Sequence, residues 1–151
     1  MGIAERWTKF RQLSPDINQK LTQLILLFEK EEVLLAYLFG SLGRGQTGHD
    51  VDLAILTRSG QAFRLREAIT DCLETERVDL VDLQRASPVL RFEILRTGQL
   101  LYAADLALSE CFELATLRLY RDTAWLRRQQ REYLRERMEQ WSSGEKPSSN
   151  V

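Results

Sequence analysis

A run of seven apolar residues, Val33 to Phe39, stops abruptly at Gly40, and this constrains the fold more than any other feature of the chain. Seven residues are too few to cross a bilayer and suit a strand buried on both faces. Such a strand needs cover on each side, so the sequence around it must supply helices. Upstream, Ser14-Pro15-Asp16 is a helix start: a capping hydroxyl, Pro at the first helical position and a carboxylate at the positive end of the helix dipole. Ile17, Leu21, Leu24, Ile25 and Phe28 then recur at helical spacing. Residues 1–13 are expected to add one short helix carrying Trp7 and Phe10.

Downstream comes a glycine-dense loop with Gly40, Gly43, Gly45 and Gly48, then a second strand, Val51 to Thr57. Residues 61–75 suit a helix with Phe63, Leu65, Ile69 and Leu73 turned inward or partly so. Val78 to Leu83 alternates, with Val78, Leu80 and Asp82 on one face and Asp79, Val81 and Leu83 on the other. Ser87-Pro88 opens a further helix that Gly98 ends, and Gln99 to Tyr102 reads as a short final strand. From Asp105 to Trp141 neither Pro nor Gly interrupts the chain, which predicts one long helix or two broken ones. The order specifies an α+β (mixed α/β) fold, a mixed sheet flanked by helices with a long C-terminal helical extension. Residues 1–104 would be the core with its N-terminal helix, 105–141 an extension of the same domain, and 142–151 a disordered Ser-, Gly- and Pro-containing tail.

Composition sets the class. With 151 residues, 44% hydrophobic and 28% charged, the chain suits one soluble domain with one real core. Lys and Arg number 21 against 22 Asp and Glu. Without a basic field, direct nucleic-acid binding is not expected. The N-terminus carries early charges and no apolar signal region, and Arg6 stands where a myristoylation signal needs Ser or Thr. Cys72 and Cys111 stand alone within helical stretches, as reduced thiols do. Together these features predict a cytoplasmic protein that does not engage a membrane.

The chemistry concentrates after the first strand. At Gly40-Ser41 the chain turns, and exposed N–H groups at such a turn can cradle phosphate oxygens, with the Ser41 hydroxyl as a further donor. Taken alone, it is more often a plain glycine-containing loop between strands. Asp50 and Asp52 leave the same face of the second strand, and hard oxygen ligands suit Mg²⁺ or Mn²⁺ better than zinc. An isolated Asp-x-Asp is more often a solvated strand end. Asp79, in a second alternating strand, adds a third carboxylate, and three that converge can hold two divalent ions about 3.5–4 Å apart. Asp82 competes with Asp79 but leaves the opposite face, so only one of them can join the set, and Asp79 is preferred.

Gly40-Ser41, a spacer, Asp50-Val51-Asp52 and then Asp79 resemble the signature of the DNA polymerase β-like nucleotidyltransferases. Arg44-Gly45 completes the Gly-Ser-x-x-Arg-Gly form common among the minimal members. The likeness runs from about Val33 to Tyr102, and the later part looks like the MNT-type antitoxins paired with HEPN-domain toxins. The resemblance implies a two-Mg²⁺ enzyme that uses ATP and transfers AMP to a tyrosine of a HEPN-domain RNase toxin. It implies that Gly40, Ser41 and Arg44 hold the nucleotide and that Asp50, Asp52 and Asp79 are catalytic and metal-binding. The spacer from Ser41 to Asp50 holds eight residues, fewer than usual in the toxin-paired members, and His49 stands where Ser is often found. A module that neutralises its partner by contact alone is one alternative, and a nucleotidyltransferase with a small-molecule acceptor such as an aminoglycoside is another. The arginine- and aromatic-rich segment from Trp125 to Trp141 suits a protein partner, unless its aromatics close the domain's own sheet.

Overall fold

The fold was obtained as a computed structural model, which describes residues 16–43 and 50–144. The short helix expected over 1–13, the Ser14-Pro15 cap, and Arg44, Gly45, Gly48 and His49 lie outside the described residues, as does the tail beyond residue 144.

Helix α1 (Ile17–Lys30) precedes strand β1 (Val33–Phe39), which runs into a single-turn helix α2 (Gly40–Gly43). Strand β2 (Val51–Thr57) leads through a 3₁₀ turn (Ala62–Leu65) to α3 (Arg66–Leu73) and strand β3 (Val78–Asp82). Helix α4 (Pro88–Thr97), strand β4 (Gln99–Ala103), and helices α5 (Leu106–Asp122) and α6 (Ala124–Ser142) complete the order. The four strands lie in the order β3-β2-β1-β4. β1 is antiparallel to both neighbours, while β2 and β3 are parallel, so the sheet is mixed.

The local signals explain the boundaries. The Ser87 hydroxyl accepts the Leu90 N–H at 3.2 Å with Pro88 opening the helix, and Asp105 does the same for α5 by accepting the Ala107 N–H at 2.9 Å. The α1 cap, Asp16, accepts the Gln19 and Lys20 N–H groups through its backbone carbonyl and pairs with Lys20 at 3.3 Å. The segment 61–75 departs from expectation at its start. It opens as a 3₁₀ turn that buries Ala62 and Leu65 and leaves Phe63 55% exposed. A turn of three residues rotates position 63 away from the face that Ile69 and Leu73 occupy in α3.

Both sheet faces are covered. One cluster joins Leu21, Leu24 and Phe28 of α1 and Ile69 and Leu73 of α3 to Val33, Leu38, Leu53, Ile55 and Val78 of the sheet. The opposite face packs Leu35, Tyr37 and Ala54 against Ile94 of α4, with Leu108 and Phe112 of α5 alongside. The long C-terminal stretch is two helices, broken at Thr123. No residue of α6 is buried. Its aromatics therefore do not close the sheet: Trp125, Tyr133 and Trp141 stay more than half exposed. The attachment is a stack in which Tyr120 lies 3.9 Å from Phe92 on one side and 3.8 Å from the Arg127 guanidinium on the other.

Candidate active site

Register brings the acidic residues together. Asp52 pairs with Phe39 across the antiparallel ladder and with Asp79 across the parallel one. Side chains at matched positions of neighbouring strands leave the same face, so the Asp52 and Asp79 carboxylates meet. They share a hydrogen bond, and the charge of Asp50, at the bend before β2, also reaches Asp52. Asp52 is partly buried while Asp50 and Asp79 are exposed, so the group opens to solvent on one side.

The electrostatics follow. Burial first, then the negative charges of Asp79 and Asp50, push the Asp52 carboxyl above its ordinary value. A neighbouring cation would reverse that effect. Among the described residues no three His, Cys, Asp or Glu side chains are closed into a ready metal cage. Mg²⁺ does not require one: it is typically held by one or two carboxylates, with waters and substrate phosphates completing the shell. The donor set therefore fits Mg²⁺.

Asp82 is placed where its strand parity puts it, on the other face and 4% exposed. One of its carboxylate oxygens accepts the Gln84 N–H at 3.0 Å, and the other lies 3.8 Å from the Arg85 guanidinium. It shapes the turn after β3 and stays apart from Asp52.

Gly40 begins α2 with φ at +68°, a conformation that side chains rarely adopt, and any Cβ there would overlap the Asp52 carboxylate. Backbone and acid thus approach each other as closely as a residue without a side chain permits. Ser41 follows on the same turn and is partly buried. Gly43 closes α2 so tightly that a Cβ would lie 2.5 Å from the Leu38 carbonyl oxygen. Only a count of the loop's glycines hinted at this second restriction, because the contact is between backbones.

A family model, polymerase beta nucleotidyltransferase, matches residues 22–107. The chain belongs to that family. As a nucleotidyltransferase it carries Gly40, Asp52 and Asp79 within the matched span. Its fold is similar to that of the MNT antitoxin in complex with tri-AMPylated Shewanella oneidensis HEPN toxin, at 25% identity and a TM-score of 0.61. That match covers 81% of this chain and 98% of the antitoxin. A toxin–antitoxin structure with AMP-PNP is similar at 26% identity and a TM-score of 0.63, covering 78% of this chain and 98% of that one. Comparison with curated protein sequences gives no match. No helix among the described residues is long and apolar enough to cross a membrane.

Proposed function

We propose that this nucleotidyltransferase is the antitoxin of a HEPN-domain toxin and acts as a Mg²⁺-dependent protein adenylyltransferase, moving AMP from ATP to a tyrosine hydroxyl of that toxin. The observation that carries the reading is the meeting of Gly40, Asp52 and Asp79 at one end of the sheet. Support for substrate and acceptor comes from the similar antitoxins, one in complex with a tri-AMPylated HEPN toxin and one toxin–antitoxin pair with AMP-PNP.

On this reading the N–H groups of Gly40 and Ser41 and the Ser41 hydroxyl hold the β- and γ-phosphates, with Arg44 as a further phosphate contact. Asp50, Asp52 and Asp79 would together hold two Mg²⁺ ions. Bound there, the ions supply charge neutralisation at the phosphoryl oxygens. The Gly40-Ser41 turn orients the α-phosphorus for in-line attack. Asp79 takes the acceptor proton, the tyrosine oxygen bonds to the α-phosphorus, and the bond to the bridging oxygen breaks, releasing pyrophosphate. The chain has no histidine other than His49 to act as base, which leaves a carboxylate for that role.

Contact-only neutralisation is the second reading, favoured by the eight-residue spacer and by the exposed Leu134, Met138 and Trp141 on α6, outside the catalytic core. Incubation with labelled ATP, Mg²⁺ and the product of the adjacent gene separates the two. Label on that protein, lost when its tyrosines become Phe, is the expected result. Tight complex formation without label supports contact alone, and label on a small molecule points to a different acceptor.

A further inference from the structure

We infer that Gly98 is a positioning residue for nucleotide binding: it sets the height of the Gly40-Ser41 turn above Asp52 through a contact made of backbone alone. The inference rests on the Gly40-Ser41 turn being the phosphate site.

Sequence reading makes Gly98 the residue that stops α4, and a stop glycine usually takes a left-handed conformation. Gly98 does not. Its φ is −89° and its ψ 173°, an extended backbone that any residue adopts. Its N–H still closes the helix on the Ile94 carbonyl at 2.7 Å. The need for glycine must therefore come from space.

The space is taken by main chain. A Cβ on Gly98 would lie 2.6 Å from the Ile94 carbonyl oxygen, 2.9 Å from the Leu38 carbonyl oxygen and 3.2 Å from Phe39 Cβ. From the other side, a Cβ on Gly43 would lie 2.5 Å from the same Leu38 oxygen and 3.6 Å from Gly98 Cα. The Leu38 carbonyl is thus clasped between two glycines, one ending the phosphate turn and one joining α4 to β4. Flexible side chains yield to an added methyl, whereas a backbone carbonyl within a strand does so only by moving the strand.

The strand that would move carries the site. Leu38 pairs with Leu53 on β2 and with Gln99 on β4, and the next residue, Phe39, pairs with Asp52. Gly40 follows directly, packed on the Asp52 carboxylate. A methyl at position 98 displaces the Leu38-Phe39-Gly40 segment relative to Asp52, while Asp50, Asp52 and Asp79 all remain in place chemically. Moving the turn lengthens or misaligns the N–H contacts it offers a phosphate, and such contacts weaken with distance and angle.

The test is thermal-shift titration of the full chain with Mg·AMP-PNP, comparing wild type, Gly98→Ala, Gly43→Ala and Gly60→Ala. Gly60 is the matched control: it has φ at +70° and a Cβ there would meet Gln84, in the turn that follows β2 away from Asp52. The expected result is a Kd at least about tenfold weaker for Gly98→Ala and Gly43→Ala. Gly60→Ala should lower the ligand-free Tm yet keep the wild-type Kd. The double variant at 43 and 98 should bind no more weakly than the worse single variant, since both disturb one contact. A wild-type Kd for Gly98→Ala, or equal weakening by Gly60→Ala, would overturn the inference. So would failure of both Gly98→Ala and Gly43→Ala to fold, which would make the crossing a general core contact. Absence of Mg·AMP-PNP binding by wild type would instead remove the functional reading itself, and the inference with it.

Discussion

At the scale of single residues, burial and two neighbouring carboxylates make the charged form of Asp52 costly in the folded chain. Its folded pKa is raised by burial and by Asp79 and Asp50, so the folded chain binds the proton more tightly than the unfolded chain does. For a raised carboxyl the stability is fully present below the ordinary carboxylate range and is lost as pH rises through the folded value. Metal-free Asp52→Asn should therefore melt at or above the wild-type temperature at pH 7. The difference should disappear near pH 3–4, where the wild-type carboxyl is protonated as well. Thermal melts across that range in EDTA check it, and a lower Tm for the variant at neutral pH would contradict the account. Gly40→Ala should act in the other direction, losing both stability and Mg·AMP-PNP binding, because the new methyl meets the Asp52 carboxylate in a conformation costing about 1–3 kcal/mol.

Among the elements, α6 is the least committed to the fold. Its contacts with the rest of the molecule run through Arg127, which donates to the Tyr120 carbonyl at 2.6 Å and to the Thr123 hydroxyl at 2.7 Å while lying over the Tyr120 ring. A cation–π contact and two hydrogen bonds at a half-open site contribute about 1–2 kcal/mol. Ending the chain after Thr123 should lower Tm by only a few degrees, and Arg127→Ala in the full chain should reproduce most of that loss. A collapse of the fold on truncation would show that α6 carries part of the core. Among the described residues Leu134, Met138 and Trp141 stay exposed, a cluster of large apolar side chains on the surface of α6.

The whole molecule divides its labour between two faces of one sheet. The α1–α3 side is mainly apolar, with Leu24, Phe28 and Ile69 fully buried there, and Asp82 at the end of β3 and Thr57 at the end of β2 are its buried polar residues. Phe28→Ala should cost about 3–5 kcal/mol, read from denaturant melts, because Phe28 also meets Tyr102 of β4 at 5.9 Å and nothing can collapse into the gap. On the other face the cover of α4 and α5 coexists with the acidic end of β2 and β3. Ligand binding should then stabilise the entire cooperative unit: at a hundred times its Kd, Mg·AMP-PNP should add about 2.7 kcal/mol to wild type. It should add almost nothing to Asp52→Asn. A comparable gain in the variant would exclude Asp52 from the nucleotide site.

The strands, the helices and the place of the turn were legible along the chain because each rests on short-range chemistry: the apolar run ending at Gly40, the alternation from Val78, the cap at Ser87. Parity showed that Asp79 and Asp82, three positions apart on one strand, leave opposite faces, so that only one of them could lie beside Asp52. Other features depended on contacts between distant segments. The parallel register that sets Asp79 beside Asp52 is chosen by how α3 packs between β2 and β3, and the outward turn of Phe63 by a 3₁₀ geometry that buries Ala62 instead. Whether the aromatics of α6 would close the sheet was undecidable in one dimension; the sheet's far face was already filled by α4 and α5. Gly98 is the clearest case. Its identity reads as a helix stop, but the reason it must be glycine lies in the carbonyls of Ile94 and Leu38, the second a neighbour on the adjacent strand that only the assembled backbone provides.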